Sequence, residues 1–161
     1  MGYEILFLDE STFKLEPHII HGWFEKGSKP TIKHVSNRYQ KFHVFGALGV
    51  GKIVTKITDK INAKKYLPFL KKIKKHCSKM CIIVDNARWH LTKEIMTFVK
   101  NNNIKMIRLL TYSPELNPIE QYWKNVKRHL GTKPIFDKVQ LLTELKKALR
   151  KNIFMPDISD Y

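Results

Sequence analysis

The sequence predicts an α/β domain built on a mixed five-stranded sheet flanked by helices. Three observations lead there. Two apolar, strand-like runs, YEILFLDE and CIIVDN, each end on acidic or amide residues, with Asp9 and Asp85 at their C-terminal ends. Two runs rich in β-branched and aromatic residues, FHVFGALGV and KIVTKIT, are separated by Gly49 and Gly51, which is a hairpin signal. From Asn62 onward, helical and strand-like segments alternate. Early hairpins followed by such alternation give a sheet of mixed direction with helices packed on its faces.

In chain order, YEILFLDE reads as a buried first strand. Residues from Ser11 to about Gln40 read as loop-rich, with Gly22, Gly27 and Pro30 punctuating a small hairpin excursion. The hairpin over 42–58 supplies strands two and three. Tyr66, Leu67, Leu70, Ile73 and Cys77 then recur at helical spacing, with lysines such as Lys64 and Lys71 largely on other faces. CIIVDN is the fourth strand, about 92–102 a helix capped by Thr92, and IKMIRLL the fifth strand. After the turn-rich TYSPELNP, a helix runs from about Pro118 to His129; proline suits a first helical turn, where its missing N–H has no partner to lose. A last helix covers about Asp137 to Asn152, with Val139, Leu142, Leu145 and Leu149 on one face.

The chain has 161 residues and no internal repeat or Pro/Gly/Ser linker, so residues 1–161 read as a single domain. A hydrophobic content of 43% is that of a packed interior and excludes a disordered chain. No apolar run is long enough to cross a bilayer, and the start lacks a signal peptide's basic segment and cleavage site. A cytoplasmic location, with no membrane partner, is the expectation. Cys77 and Cys81 lack the second paired cluster that a structural zinc site needs, so they read as reduced, buried thiols. Thirty Lys and Arg against fourteen Asp and Glu give a net charge of +16. Such a surface suits a polyanion, bound in a salt-dependent way. Lysine-rich tracts such as KKIKKH also reflect compositional bias, so charge alone does not settle the partner.

With only fourteen acids, their placement carries information. Asp9 and Asp85 end strands, and Glu120 sits in the first turn of a predicted helix. In sheets of this kind functional groups gather at the carboxyl ends of strands, where three acids from distant points of the chain can meet. Phosphodiester cleavage needs an activated water or hydroxyl and a neutralised leaving oxygen. Two divalent cations about 3.5–4 Å apart, held by shared carboxylates, supply both. Taken one at a time, each acid also has an ordinary reading, as a strand-end cap or a helix-dipole partner.

Three motifs go further: FLDESTF at 7–13, VDNARWH at 84–90 and TYSPELNPIEQYWKNVKRHL at 111–130. With them the chain resembles the catalytic domain of DDE transposases of the Tc/mariner superfamily, in its bacterial and archaeal insertion-sequence branch. The 34 residues between Asp85 and Glu120 are the separation typical of that branch. GWFEKGSKP at 22–30 is similar to a G-W-x-x-x-G-x-x-P element between the first two core strands. The likeness covers about 5–130. It implies a ribonuclease H-like fold, with Asp9, Asp85 and Glu120 as the catalytic residues and ligands of two Mg2+ or Mn2+ ions. It further implies hydrolysis at a transposon end, then attack of the freed 3′-hydroxyl on target DNA at a TA step. Double-stranded DNA, a homodimer pairing two ends, and a place at the prokaryotic nucleoid follow from the same likeness. Relatives also carry an N-terminal helix-turn-helix region; this sequence begins at the first catalytic strand, so that region is expected to be absent from it.

Around the acids, Asn86 and His90 are candidates for contacting DNA phosphate or ordering the nucleophile; a satisfied loop histidine is the alternative. Lys124, Lys127 and Arg128 form a basic face beside Glu120 and are candidate DNA contacts. Strand alternation turns Glu10 to the face opposite Asp9. Trp123 reads as a helix-core aromatic, while Trp23 and Trp89 stand between core and base-stacking roles. Two rival readings are a ribonuclease H-like nuclease or resolvase without strand transfer, and a non-catalytic DNA-binding remnant. The SPELNPIEQYW segment argues against the first and the intact acidic set against the second.

Overall fold

The computed structural model describes residues 2–16, 25–28, 37–111, 113–151 and 154–158. Five strands, β1 (Glu4–Leu15), β2 (Asn37–Gly49), β3 (Lys52–Thr58), β4 (Met80–Val84) and β5 (Lys105–Arg108), form one sheet in the order β3-β2-β1-β4-β5. The first three pair antiparallel; β4 and β5 join β1 in parallel. This is the mixed five-stranded sheet expected from the element order.

Helices cover both faces because alternation along the strands makes both faces apolar. Leu6 and Leu8 of β1, with Phe45 and Ala47 of β2, enter one core against α1 (Ala63–Lys74) and α2 (Lys93–Asn101). Phe7, Phe13, Val44 and Leu48 enter the other, against α3 (Ile119–Gly131) and α4 (Lys138–Leu149). Asn62 starts α1 by accepting the Lys65 N–H at 2.9 Å, and Asp137 starts α4 by accepting the Gln140 N–H at 2.8 Å. Cys77 and Cys81 are buried and unbridged. Among the described residues no helix is long and apolar enough to cross a membrane.

Four local expectations are corrected. The loop expected from Ser11 is instead the second half of β1: Ser11, Phe13 and Leu15 are buried while Thr12 and Lys14 are only partly so. The polar letters of STFKL conceal a period of two. β2 likewise begins at Asn37, before the expected Phe42. On α4 the buried set is Leu141, Leu145, Ala148 and Leu149, whereas Val139 is 74% exposed. Thr92 stands at the start of α2 without capping it, since its hydroxyl donates to the Trp89 carbonyl at 3.1 Å. Most of the 22–30 segment, including Trp23, lies outside the described residues; of it, 25–28 form a turn closed by Ser28 N–H donating to the Glu25 carbonyl at 2.9 Å.

Candidate active site

The site opens where two strands part. The parallel pairing of β1 with β4 ends at Phe7 opposite Ile83. Continuing that register by two residues sets Asp9 against Asp85, on the same side of each strand. Beyond this point β1 goes on with β2, where Asp9 pairs with Gly46, while the chain leaves β4 after Val84. Glu120 arrives from the third side, in the first turn of α3, its N–H donating to the Asn117 carbonyl at 3.0 Å. Asp9, Asp85 and Glu120, with Asn86, Leu109 and Thr111, line one cleft of about 290 Å³. A wider opening of about 620 Å³ shares Asn117 and Glu120 with it and extends to Gln121 and Lys124. A further cleft of about 550 Å³ at the far end of α3, among His129, Lys133 and Lys147, holds none of the three acids. Chemistry rather than size therefore marks the site.

The three acids are in unequal states. Burial pushes the Asp9 carboxyl up to about 7, with the charges of Glu120 and Asp85 adding to the effect. The Trp123 indole, whose Nε1–H donates to Asp9 Oδ2 at 2.9 Å, partly opposes it. Asp85 is only half-buried and is held below the ordinary carboxylate range by its contact with His90 and by the Ala87 N–H, which donates to Oδ1 at 2.9 Å. Glu120 is exposed. A buried acid, a stabilised anion and an exposed acid thus share one opening, with no cation of the protein lining it among the described residues.

A family model described as DDE superfamily endonuclease matches residues 4–143. The chain belongs to this family. No protein of curated function matches it in sequence. Among solved structures, this chain is similar to the Mos1 transposase paired-end complex with the left transposon end: TM-score 0.73, 17% identity, over 95% of this chain and 50% of that one. The Mos1 mariner paired-end complex with Mn gives 0.68 and 18%, over 95% and 50%. The catalytic core domain of BIV integrase gives 0.53 and 12%, over 93% and 86%. At these identities the likeness is one of fold, and the fold is ribonuclease H-like. The chain spans about half the length of the transposase chains it matches.

The donor set of the cleft fits a divalent cation of the Mg2+ or Mn2+ class: three carboxylates offer hard oxygens, and such an ion relieves the like-charge crowding that adds to burial in raising Asp9. The carboxylates face a shared cleft without being gathered at one point; among the described residues no three His, Cys, Asp or Glu side chains already form a metal-holding group.

The remaining predicted residues separate. Asn86 borders the cleft, but its amide is engaged, donating to the Leu109 carbonyl at 2.8 Å and so tying the β4 and β5 ends together. His90 is completely buried, which corrects its assignment as a DNA contact. It lies behind Asp85, Nε2 3.2 Å from Oδ1, off the line of a good hydrogen bond. Lys124 and Arg128 are exposed on the outer side of α3, and Arg128 donates to Asn125 at 3.2 Å. Lys127 is partly buried, its Nζ 5.9 Å from the Phe13 ring centre. Glu10 does face away from Asp9, into the α1–α2 side, where it accepts the Trp89 Nε1–H at 3.3 Å. Trp89 is thereby committed to the fold. Sequence reading placed Trp123 in the core and missed its bond to Asp9; its position three residues after Glu120, on the same side of the helix, was the available signal.

Proposed function

We propose that this domain performs the DNA cleavage and strand transfer of transposition, with Asp9, Asp85 and Glu120 holding two divalent ions, Mg2+ or Mn2+. One observation carries the reading: three carboxylates, from β1, from the residue that follows β4 and from α3, line the same cleft. Bound there, divalent cations would lower the pKa of an attacking water or 3′-hydroxyl and neutralise the leaving oxygen. Asp9 and Asp85 fix the cleft floor from the sheet, and Glu120 closes it from the exposed end of α3. Trp123 holds one Asp9 oxygen and leaves the other for the cleft. Lys124 and Arg128 continue along α3 from Glu120 and meet the phosphates of a duplex crossing the cleft; the net charge of +16 favours that approach. The partners in this reading are transposon ends and target DNA, brought together by a homodimer at the prokaryotic nucleoid, with residues 1–161 acting as one catalytic domain.

The test is a titration of Mg2+ and Mn2+ into the wild-type protein and Asp85→Ala, following thermal midpoint and nicking of a labelled duplex. The wild type gains stability with metal and nicks DNA, and Asp85→Ala does neither. A wild-type protein that binds duplex in a salt-sensitive way, with no metal-dependent shift and no nicking, would refute the catalytic reading.

A further inference from the structure

Behind Asp85, on the face of the sheet away from Asp9, lies a set of buried polar side chains that the cleft itself does not use. Glu10 follows Asp9 on β1, and its side chain is only 5% exposed. Its Oε1 accepts the Trp89 Nε1–H at 3.3 Å and stands 3.8 Å from His90 Nε2. Trp89 and His90 belong to the 3-10 turn Arg88–Leu91 that leaves β4. His90 is fully buried, with the Tyr66 ring edge-on at 4.8 Å, and its Nε2 lies 3.2 Å from Asp85 Oδ1. The same Oδ1 accepts the Ala87 N–H. A connected path therefore runs from β1 through the 3-10 turn to the Asp85 carboxylate. Burying Glu10 and His90 is costly, and apolar residues would fill this side of the core at less cost.

We infer that Glu10 and His90 are positioning residues that hold the Asp85 carboxylate from behind, Glu10 by anchoring the 3-10 turn and His90 by contact with Oδ1. Adjacent acids on β1 thereby serve one site from opposite faces: Asp9 directly, Glu10 through His90. Cation ligands are commonly oriented by such outer contacts, whose loss weakens metal binding about 10- to 100-fold. The cation part of this inference rests on the proposed function above; the orientation of Asp85 does not.

His90→Leu and Glu10→Leu remove the polar atoms while keeping bulk, and Glu10→Gln keeps an oxygen for Trp89. Two quantities are read on folded protein: amide hydrogen exchange of Ala87, referenced to Leu109, whose N–H donates to the Val84 carbonyl at 2.9 Å, and Mn2+ affinity by calorimetry. Both Leu variants speed Ala87 exchange about tenfold and weaken Mn2+ binding about 10- to 100-fold. Glu10→Gln stays near wild type, and the core variant Ile82→Val changes neither quantity after correction for global stability. Wild-type Ala87 protection in either Leu variant overturns the inference, as does wild-type Mn2+ affinity. A wild-type protein that binds no Mn2+ would refute the cation reading of the site, and Ala87 exchange would still decide whether Asp85 is held from behind.

Discussion

The indole of Trp123 donates to Asp9 Oδ2 at 2.9 Å, and both groups are buried. This bond joins α3, which carries Glu120, to β1, which carries Asp9, so it fixes the position of one acid relative to another. Gly46 makes the approach possible. It pairs with Asp9 across β1 and β2, and a Cβ built there would lie 2.5 Å and 2.7 Å from two Trp123 ring atoms. The ring occupies the space that any other residue at 46 would fill.

Trp123→Phe removes the donor and leaves a buried carboxyl oxygen without its partner. A buried acceptor left unsatisfied costs about 1–3 kcal/mol, with a smaller addition for the indole volume. Urea unfolding gives the stability loss, and the metal-dependent nicking rate falls with it because Asp9 is no longer fixed. A variant as stable and as active as wild type would show that the bond does not order the site.

Gly46→Ala places a methyl group against the indole and Ile119. Overpacking of this kind costs about 1–3 kcal/mol. The midpoint drops and the near-ultraviolet tryptophan signal changes as Trp123 moves off β2. Gly2→Ala, where an added Cβ meets nothing within 4 Å, leaves that signal unchanged.

Stability of the metal-free protein falls as pH rises from about 4 to about 8. Asp9 and Glu10 keep their protons in the fold up to about 7 and about 8, far above their ordinary carboxylate values. Burial is the first cause for both, and neighbouring carboxylates are the next. Over that window the folded state binds more protons than the unfolded one, so unfolding is favoured as they are released, by on the order of a few kcal/mol. Asp85 runs the other way: its depressed pKa gives stability that is lost only as pH falls through the lower carboxylate range. Melting curves from pH 4 to 9 with and without Mg2+ test this. The Mg2+-induced rise in midpoint is larger at pH 8 than at pH 6, because the ion takes the deprotonated ligands.

Lys124→Glu and Arg128→Glu weaken binding of duplexes of any sequence about equally. Each reduces the slope of log affinity against log salt by about one. Filter binding across a salt series measures both. Arg128→Glu keeps the wild-type Mg2+ response, since Arg128 lines neither opening that holds Glu120.

The sheet, the order of its elements and the three candidate acids were legible in the sequence alone. Those features lie in local periodicity and in motifs such as VDNARWH and SPELNPIEQYW, and each is written in contiguous residues. The sequence misled where a local pattern is ambiguous. STFKL carries enough polar residues to resemble a loop, yet it pairs with β2 as a strand with one side buried. Val139 fits a helical apolar face on paper, but the docking of α4 on the sheet selected the stripe one step around, through Leu141 and Leu145. What stands around the acids was set by packing between distant segments. Trp123 meets Asp9 across 114 positions of chain, and Trp89 meets Glu10 across 79. Such contacts depend on how helices pack across a twisted sheet, which no window of sequence contains. The burial that raises Asp9 and Glu10 arises the same way: desolvation is a property of every element folded over a group, not of the residues beside it in the chain.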